Sequence, residues 1–338
     1  MLLDGRPGYG RRPLASASLT PAPPPPVPAR LDGGLAWHAV AATRAAAIAA
    51  AQWAGRGDAR AADAAATGAM RAVLATGPGR GTVVTGEGAK DDAPMLADGE
   101  CLGLPGGARY DIAVDPLECT DLCARGLPGA LSTMAIAPRG SLWAPGAAYY
   151  MQKLVLGRAA RGAAALDDPP EAVVAQVARA LCKRAGDVRV VVLDKPRHRE
   201  LFDRLRRAGA RVSAPSAGDV AGALEAVLPE GETDVLLGVG GTPEGVLAAC
   251  AVRALNGSMQ ARLAPQREDE RAALAASGAD LDRVMAVGDL VREDAVFVAT
   301  GVTGGLLAAP RRREGRITTE TLVVAAGAAH RINTTTEE

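Results

Sequence analysis

The stretch 109-RYDIAVDPLECTDLC-123 carries an apolar run, read as a strand over 109–114, that stops abruptly at Asp115 and is followed by Pro116, Glu118 and Thr120. Two carboxylates and a hydroxyl therefore stand where a buried strand meets its loop. Strong acids recur at such places: Glu87 follows 81-GTVVTG-86, and Glu244 follows 234-DVLLGVGG-241. In layered α/β folds the ligand sits outside the carboxyl ends of strands, so acids at several strand ends can meet in one pocket. With Asp63 from the second predicted helix, five carboxylates (Asp63, Glu87, Asp115, Glu118 and Glu244) can surround one site.

Working outward, two alanine-rich stretches, 35–54 and 58–75, run into Gly55 and Gly77 and read as helices with glycine stops. Further strands are expected at 131–137 and 149–156, so the first half reads as helices on a mostly antiparallel sheet. From about residue 169 the rhythm changes to alternation: helices over 170–185, 198–208, 219–228 and 243–256, with strands over 188–194, 210–213 and 234–240. The segment 264–280 is polar and is expected to be a surface excursion before strands return at 295–301 and 320–326. The expected fold class is α/β in layers, with a flexible Pro-rich arm over 1–33, a metal-binding α+β subdomain over 34–160, an α/β substrate-binding subdomain over 161–330, and a tail over 331–338.

Composition narrows the function. Lys+Arg and Asp+Glu both number 38, so no net field favours nucleic acid or an anionic membrane. Aromatic residues make up 3% of the chain, which leaves few platforms for base stacking, while the 48% hydrophobic content is ample for a core. Five scattered cysteines form no CxxC pair and fit a reducing cytoplasm. His38, His198 and His330 have no HExxH spacing and read as surface or structural residues rather than zinc ligands. The N-terminus passes from Arg11 and Arg12 into 21-PAPPPPVPAR-30 rather than an apolar signal region, and no apolar run reaches the roughly 20 residues that span a bilayer.

Five ionised carboxylates in one place repel one another and force some to hold protons. Divalent cations relieve that repulsion. An all-oxygen donor set suits Mg²⁺ or Mn²⁺, ions that activate water and neutralise phosphoryl charge in displacement at phosphorus. Basic groups for the phosphate are available in 195-KPRH-198, where Lys195 and Arg197 follow a strand. The run 238-GVGGTPEG-245 leads into a helix and lets backbone N–H groups approach an anion, but it has neither Walker A nor dinucleotide-fingerprint spacing.

These residues resemble the class II fructose-1,6-bisphosphatases, metal-dependent sugar phosphatases related in fold to the inositol monophosphatases. The resemblance runs from about Thr43 to Val324 and is carried by 53-WAGRGDARAAD-63, 84-VTGEGAKDDAPML-96, 111-DIAVDPLECT-120, 149-YYMQKLVLG-157, 194-DKPRH-198, 237-LGVGGTPEGV-246, 287-VGDL-290, 299-ATGVTGG-305 and 317-ITTETLVV-324. It implies a sugar-phosphatase fold with alternating helix and sheet layers and the active site between two subdomains. It implies that Asp63 and Glu87 hold one metal, with Asp115, Glu118 and Glu244 around a second. Thr120, Asp115 and Glu87 become the catalytic groups, Thr120 orienting the attacking water. Glu118, Cys119, Thr120, Tyr150, Lys195, Pro196, Arg197, Gly218, Asp219 and Gly241 fall where the family contacts the sugar bisphosphate. A homo-oligomer, dimer or tetramer, is the implied assembly.

Three positions depart from the family. Cys119 replaces the glycine of the family's Asp-Pro-Ile-Glu-Gly-Thr run, Ala217 stands where an acid is expected to hold the sugar hydroxyls, and Ala89 replaces another loop acid. If position 119 needs a positive φ, a side chain there costs roughly 1–2 kcal/mol or crowds the ligand. Three functions therefore compete. One is hydrolysis of the 1-phosphate of fructose 1,6-bisphosphate. Another is a phosphatase for a different sugar or cyclitol phosphate, including sedoheptulose 1,7-bisphosphate. The third is an inactive sugar-phosphate-binding regulator.

Overall fold

The computed structural model describes residues 33–86 and 96–337. Residues 1–32 of the expected arm, and with them its proline run, lie outside the described residues, as do Glu87 and Ala89. Helices α1 (Gly33–Ala51) and α2 (Ala59–Leu74) come first, the second capped by Asp58, whose side chain accepts from Ala61 N at 2.9 Å. Strands β1 (Arg80–Thr85), β2 (Cys101–Leu102) and β3 (Arg109–Glu118) follow, then the short α3 (Thr120–Ala124) and β4 (Leu131–Pro138). The middle of the chain supplies β5 (Tyr150–Leu156), α4 (Pro170–Ala180), β6 (Arg189–Val191), α5 (Arg199–Arg207), β7 (Arg211–Ser213), α6 (Asp219–Val227), β8 (Val235–Gly241) and α7 (Thr242–Ala254). The remainder gives β9 (Ser258–Leu263), α8 (Glu268–Ala276), β10 (Met285–Ala286), α9 (Val287–Leu290), β11 (Val296–Gly301), β12 (Arg311–Arg313), β13 (Arg316–Ala325) and β14 (Ala328–Glu337).

The strands form two sheets. The first runs β12-β13-β11-β4-β3-β1-β2, with β14 on the free side of β13, and is antiparallel except where β1 meets β3. The second runs β10-β9-β5-β8-β6-β7, parallel only across β8, β6 and β7. Sheet membership does not follow a division of the chain at residue 160: β5 joins the second sheet, and β11 to β14 return to the first. The expected tail is also corrected, because residues 331–337 complete β14, which pairs with β13 from Ala325↔Ala328 to Arg316↔Glu337. Along these residues only Ile332 and Thr334 are half-buried among exposed polar neighbours, a pattern that reads as polar loop without the partner strand.

Side-chain alternation shows why the sheets stack in layers. On the first sheet Ala113, Leu131, Ala135, Phe297, Ala299, Leu322 and Val324 enter one core, while Ile112, Val114, Met134, Ile136, Val296, Val298 and Val323 enter another shared with α1 and α2. Both faces are buried, so the strands read as unbroken apolar runs. On the second sheet Val155 and Leu236 face the first core, whereas Leu154, Leu156, Val235 and Leu237 pack with Val173, Val177, Phe202 and Leu205 of α4 and α5. The order is α1/α2, first sheet, α6/α7, second sheet, α4/α5, the layered α/β arrangement expected. Helix α7, in the middle layer, buries residues on every side, from Thr242 to Ala254. Small side chains make the layers thin: Ala36, Ala39, Ala42, Ala46, Ala47 and Ala50 of α1 are all buried. Among the described residues no helix is long and apolar enough to cross a membrane.

Candidate active site

Strand β3 does not end before its acids, as the sequence suggests; it continues to Glu118 through a bulge. Pairing with β4 is regular as far as Asp115↔Thr133, and the next pair is Glu118↔Leu131, one extra residue on β3. Pro116, which has no N–H to give to a ladder, sits in the slip. The free N–H of Leu117 instead donates to Asp115 Oδ1 at 3.1 Å. By cancelling one step of alternation, the bulge turns Asp115 and Glu118 toward the same site. The backbone then reverses at Cys119, which has φ 66° and ψ 47°, and enters α3; Thr120 Oγ1 donates to Leu117 O at 2.9 Å. Position 119 does occupy the left-handed region that favours glycine.

The opposing wall comes from the second sheet and the middle helices. Glu244 lies in the first turn of α7, directly after β8, and a Cβ on Gly241 would stand only 1.8 Å from its Oε2. Asp219 opens α6 behind Gly218, whose φ of 101° again needs glycine. Carboxylate oxygens of Asp115, Glu118 and Glu244 all lie within 4.8 Å of one another. Asp63 is not part of this cluster, although its charge acts on Asp115.

Burial and the neighbouring carboxylates dominate the electrostatics. Desolvation, followed by the charge and hydrogen bond of Glu118 and the charges of Glu244 and Asp63, pushes Asp115 well above the usual carboxylate range. Desolvation with the charges of Glu244 and Asp219 pushes Glu118 up to about 8. The Cys119 thiol is driven upward by burial and by Glu118, Asp115 and Asp219, so it is no thiolate at neutral pH. A cluster that resists ionisation on its own, built only from oxygen donors, fits a hard divalent cation.

A cleft of about 950 Å³ opens from this cluster. Of the positions expected to contact the sugar bisphosphate, Glu118, Cys119, Tyr150, Lys195, Arg197, Gly218, Asp219 and Gly241 line it; Thr120 and Pro196 stand beside lining residues without lining it themselves. Arg197 lies over the Tyr150 ring, 5.3 Å from its centre, and donates through Nε and Nη2 to Val239 O at 3.2 and 2.8 Å. Ala217 also lines the cleft, and a Cβ at Gly218 would meet Cys119 Sγ at 3.3 Å. The N-terminal residues of α6 and α7 face the same space, which favours an anion there.

Several residues escaped the sequence reading. Lys153, buried in mid-strand on β5, is ion-paired with Asp219 and donates to Gly241 O at 2.6 Å. A single lysine inside 149-YYMQKLVL-156 was its only trace. His198 is a structural residue, as expected: its Nδ1 meets Leu193 O and its Nε2 accepts from Val239 N, both at 2.8 Å. The polar 264–280 segment forms α8, whose Glu270 is buried and whose preceding residue Arg267 lines the cleft.

Comparison with known proteins identifies the chain's relatives. Residues 33–336 match the family model of the bacterial fructose-1,6-bisphosphatases, glpX-encoded. The chain is 41% identical over 298 residues to fructose-1,6-bisphosphatase 1 class 2 of Escherichia coli strain K12, covering 83% of this chain and 88% of that protein. The same identity and coverage hold for the class 2 fructose-1,6-bisphosphatase of Shigella flexneri. A match across nearly every described residue, joined to the acidic cluster on the bulged strand, places this chain in the glpX-encoded bacterial fructose-1,6-bisphosphatase family.

Proposed function

We propose that the protein hydrolyses the 1-phosphate of fructose 1,6-bisphosphate, giving fructose 6-phosphate and phosphate. The observation that carries this reading is the three-carboxylate cluster of Asp115, Glu118 and Glu244, opening on a cleft that also holds Lys195 and Arg197. Asp115, Glu118 and Glu244 would hold one divalent ion, and Asp63 with Glu87 a second. When bound, Mg²⁺ or Mn²⁺ supplies charge neutralisation at phosphorus and makes water a better nucleophile. The residues of the chain do the positioning. Thr120 gives its hydroxyl hydrogen to Leu117 O, so its oxygen lone pairs remain to accept from the attacking water and aim it at phosphorus. The water oxygen forms the new P–O bond, the bond from phosphorus to the sugar oxygen breaks, and the sugar oxygen ends with one of the water's two protons while the other stays on the released phosphate. Lys153 fixes the Asp219 carboxylate and the Gly241 carbonyl, the floor on which the sugar rests.

A second reading has its own support. The sulfur of Cys119 lies against Gly218, next to Ala217, in the part of the cleft where sugar hydroxyls are expected. A changed pocket with an intact acidic cluster favours a related phosphatase acting on another sugar or cyclitol phosphate. Phosphate release measured over a panel of sugar phosphates, with Mg²⁺ and with Mn²⁺, decides between the readings: the first requires fructose 1,6-bisphosphate to give the highest kcat/KM. We place the enzyme in the cytoplasm as a homo-oligomer, on the strength of its free thiols and its family.

A further inference from the structure

A substrate with two phosphates makes two demands on this cleft. Each phosphate carries about −1.5 to −2 at pH 7, and the acidic corner serves the one that is cleaved. The other needs fixed positive charge. Among the described residues three cations line the cleft: Lys195, Arg197 and Arg267. Arg197 is partly committed, giving Nε and Nη2 to Val239 O. Arg267 is held differently. Asp269 accepts from its Nε at 2.9 Å and also from its Nη2, which sets the plane of the guanidinium. A guanidinium has five N–H donors, so a bidentate partner orients it without exhausting it.

The wall that carries Arg267 is fastened from inside. Glu270, 1% exposed, accepts from Tyr149 N and Tyr150 N through Oε1 at 2.7 and 2.9 Å, and from Gln266 N through Oε2 at 2.9 Å. Ala264 N returns a bond to Tyr150 O at 2.9 Å. The carboxylate thus ties the start of α8 to the first residues of β5, and Tyr150 is the ring beneath Arg197. Burying a carboxylate is costly unless several donors satisfy it, and here three backbone N–H groups from two segments do so.

We propose that α8 is a wall of the substrate cleft in which Arg267 binds the phosphate that is not hydrolysed, while Glu270 is the positioning residue that latches this wall to Tyr150. The inference rests on the bisphosphatase reading and names the selectivity of the same site for a second phosphate. Its test compares fructose 1,6-bisphosphate with fructose 1-phosphate, which presents only the reacting group. Arg267→Ala is expected to lower kcat/KM for the bisphosphate about tenfold, through KM with kcat held within about twofold, and to change the monophosphate less than about twofold. Arg267→Lys should recover part of the loss. Glu270→Gln should show the same bisphosphate-selective loss, and little more when added to Arg267→Ala. Equal losses on both substrates, or an unchanged bisphosphate KM in Arg267→Ala, overturn the inference. Failure of the wild-type enzyme to turn over fructose 1,6-bisphosphate would instead overturn the bisphosphatase reading.

Discussion

Replacing Cys119 with glycine separates two effects that the structure places on one residue. The backbone there is left-handed, at φ 66° and ψ 47°, which costs a residue with a Cβ about 1–2 kcal/mol. Glycine removes that strain, but it loosens the unfolded chain by about 0.4–1 kcal/mol and forfeits about 0.8 kcal/mol for each buried methylene-sized group lost. These nearly cancel, so Cys119→Gly should leave stability within about 1 kcal/mol of the parent, a Tm change of a few degrees at most. Activity should respond more. The sulfur lies against Gly218 on the cleft wall, and relief of about 1.4 kcal/mol of crowding in the transition state raises kcat/KM for fructose 1,6-bisphosphate about tenfold. Cys119→Ala keeps the strained Cβ without the sulfur and reports the steric part alone. Phosphate-release kinetics on the three proteins is the assay. If neither variant raises kcat/KM on the bisphosphate, the thiol does not crowd the site and the reasoning fails.

Three further outcomes follow from the same geometry. Thr120→Ala should reduce kcat at least about tenfold while divalent-ion binding, followed by calorimetry, stays near the parent value, because the proposed mechanism gives its hydroxyl the task of orienting water rather than ligating metal; an unchanged kcat removes Thr120 from the mechanism. Lys153→Met leaves Asp219 buried without its cation, so denaturant unfolding should show a loss of about 3–5 kcal/mol, and a loss below about 1 kcal/mol would mean the pair is not holding the floor. Glu118, ordinarily near 4.5, is raised to about 8 in the metal-free fold, so its contribution to stability is fully present below pH 4.5 and is lost as pH rises through about 8. In chelator, Tm should therefore fall between pH 5 and 8, by up to about 1.4 kcal/mol of stability per unit. Glu118→Gln should flatten that slope, and a Tm that climbs across the interval in chelator contradicts the repulsion.

The acidic cluster was legible because its residues break an apolar run, which an isolated strand has no reason to do at Asp115 and Glu118. What the sequence hid was how they meet. The one-residue bulge at Pro116 depends on the register with β4, a long-range pairing that no local pattern specifies. Lys153 was invisible for a related reason. A lysine in a strand reads as a solvent-facing residue, and only the approach of Asp219 from α6 makes its burial tolerable. Glu270 hides among the charges of 264–280, where composition describes the exposed face of α8 and says nothing of the single inward carboxylate. The return of β11 and β13 to the first sheet is likewise a matter of topology: their apolar runs mark them as strands but not which sheet they complete.

The central claim is that Asp115, Glu118 and Glu244 form a metal-dependent centre for phosphate ester hydrolysis. It is tested most directly by measuring phosphate release from fructose 1,6-bisphosphate after exhaustive chelation and again after adding back Mg²⁺ or Mn²⁺. The predicted result is loss of turnover in chelator and recovery with either ion in the parent protein, with Glu244→Gln requiring much more metal to recover. Full turnover in chelator, or a Glu244→Gln protein with the parent's metal dependence, would contradict it.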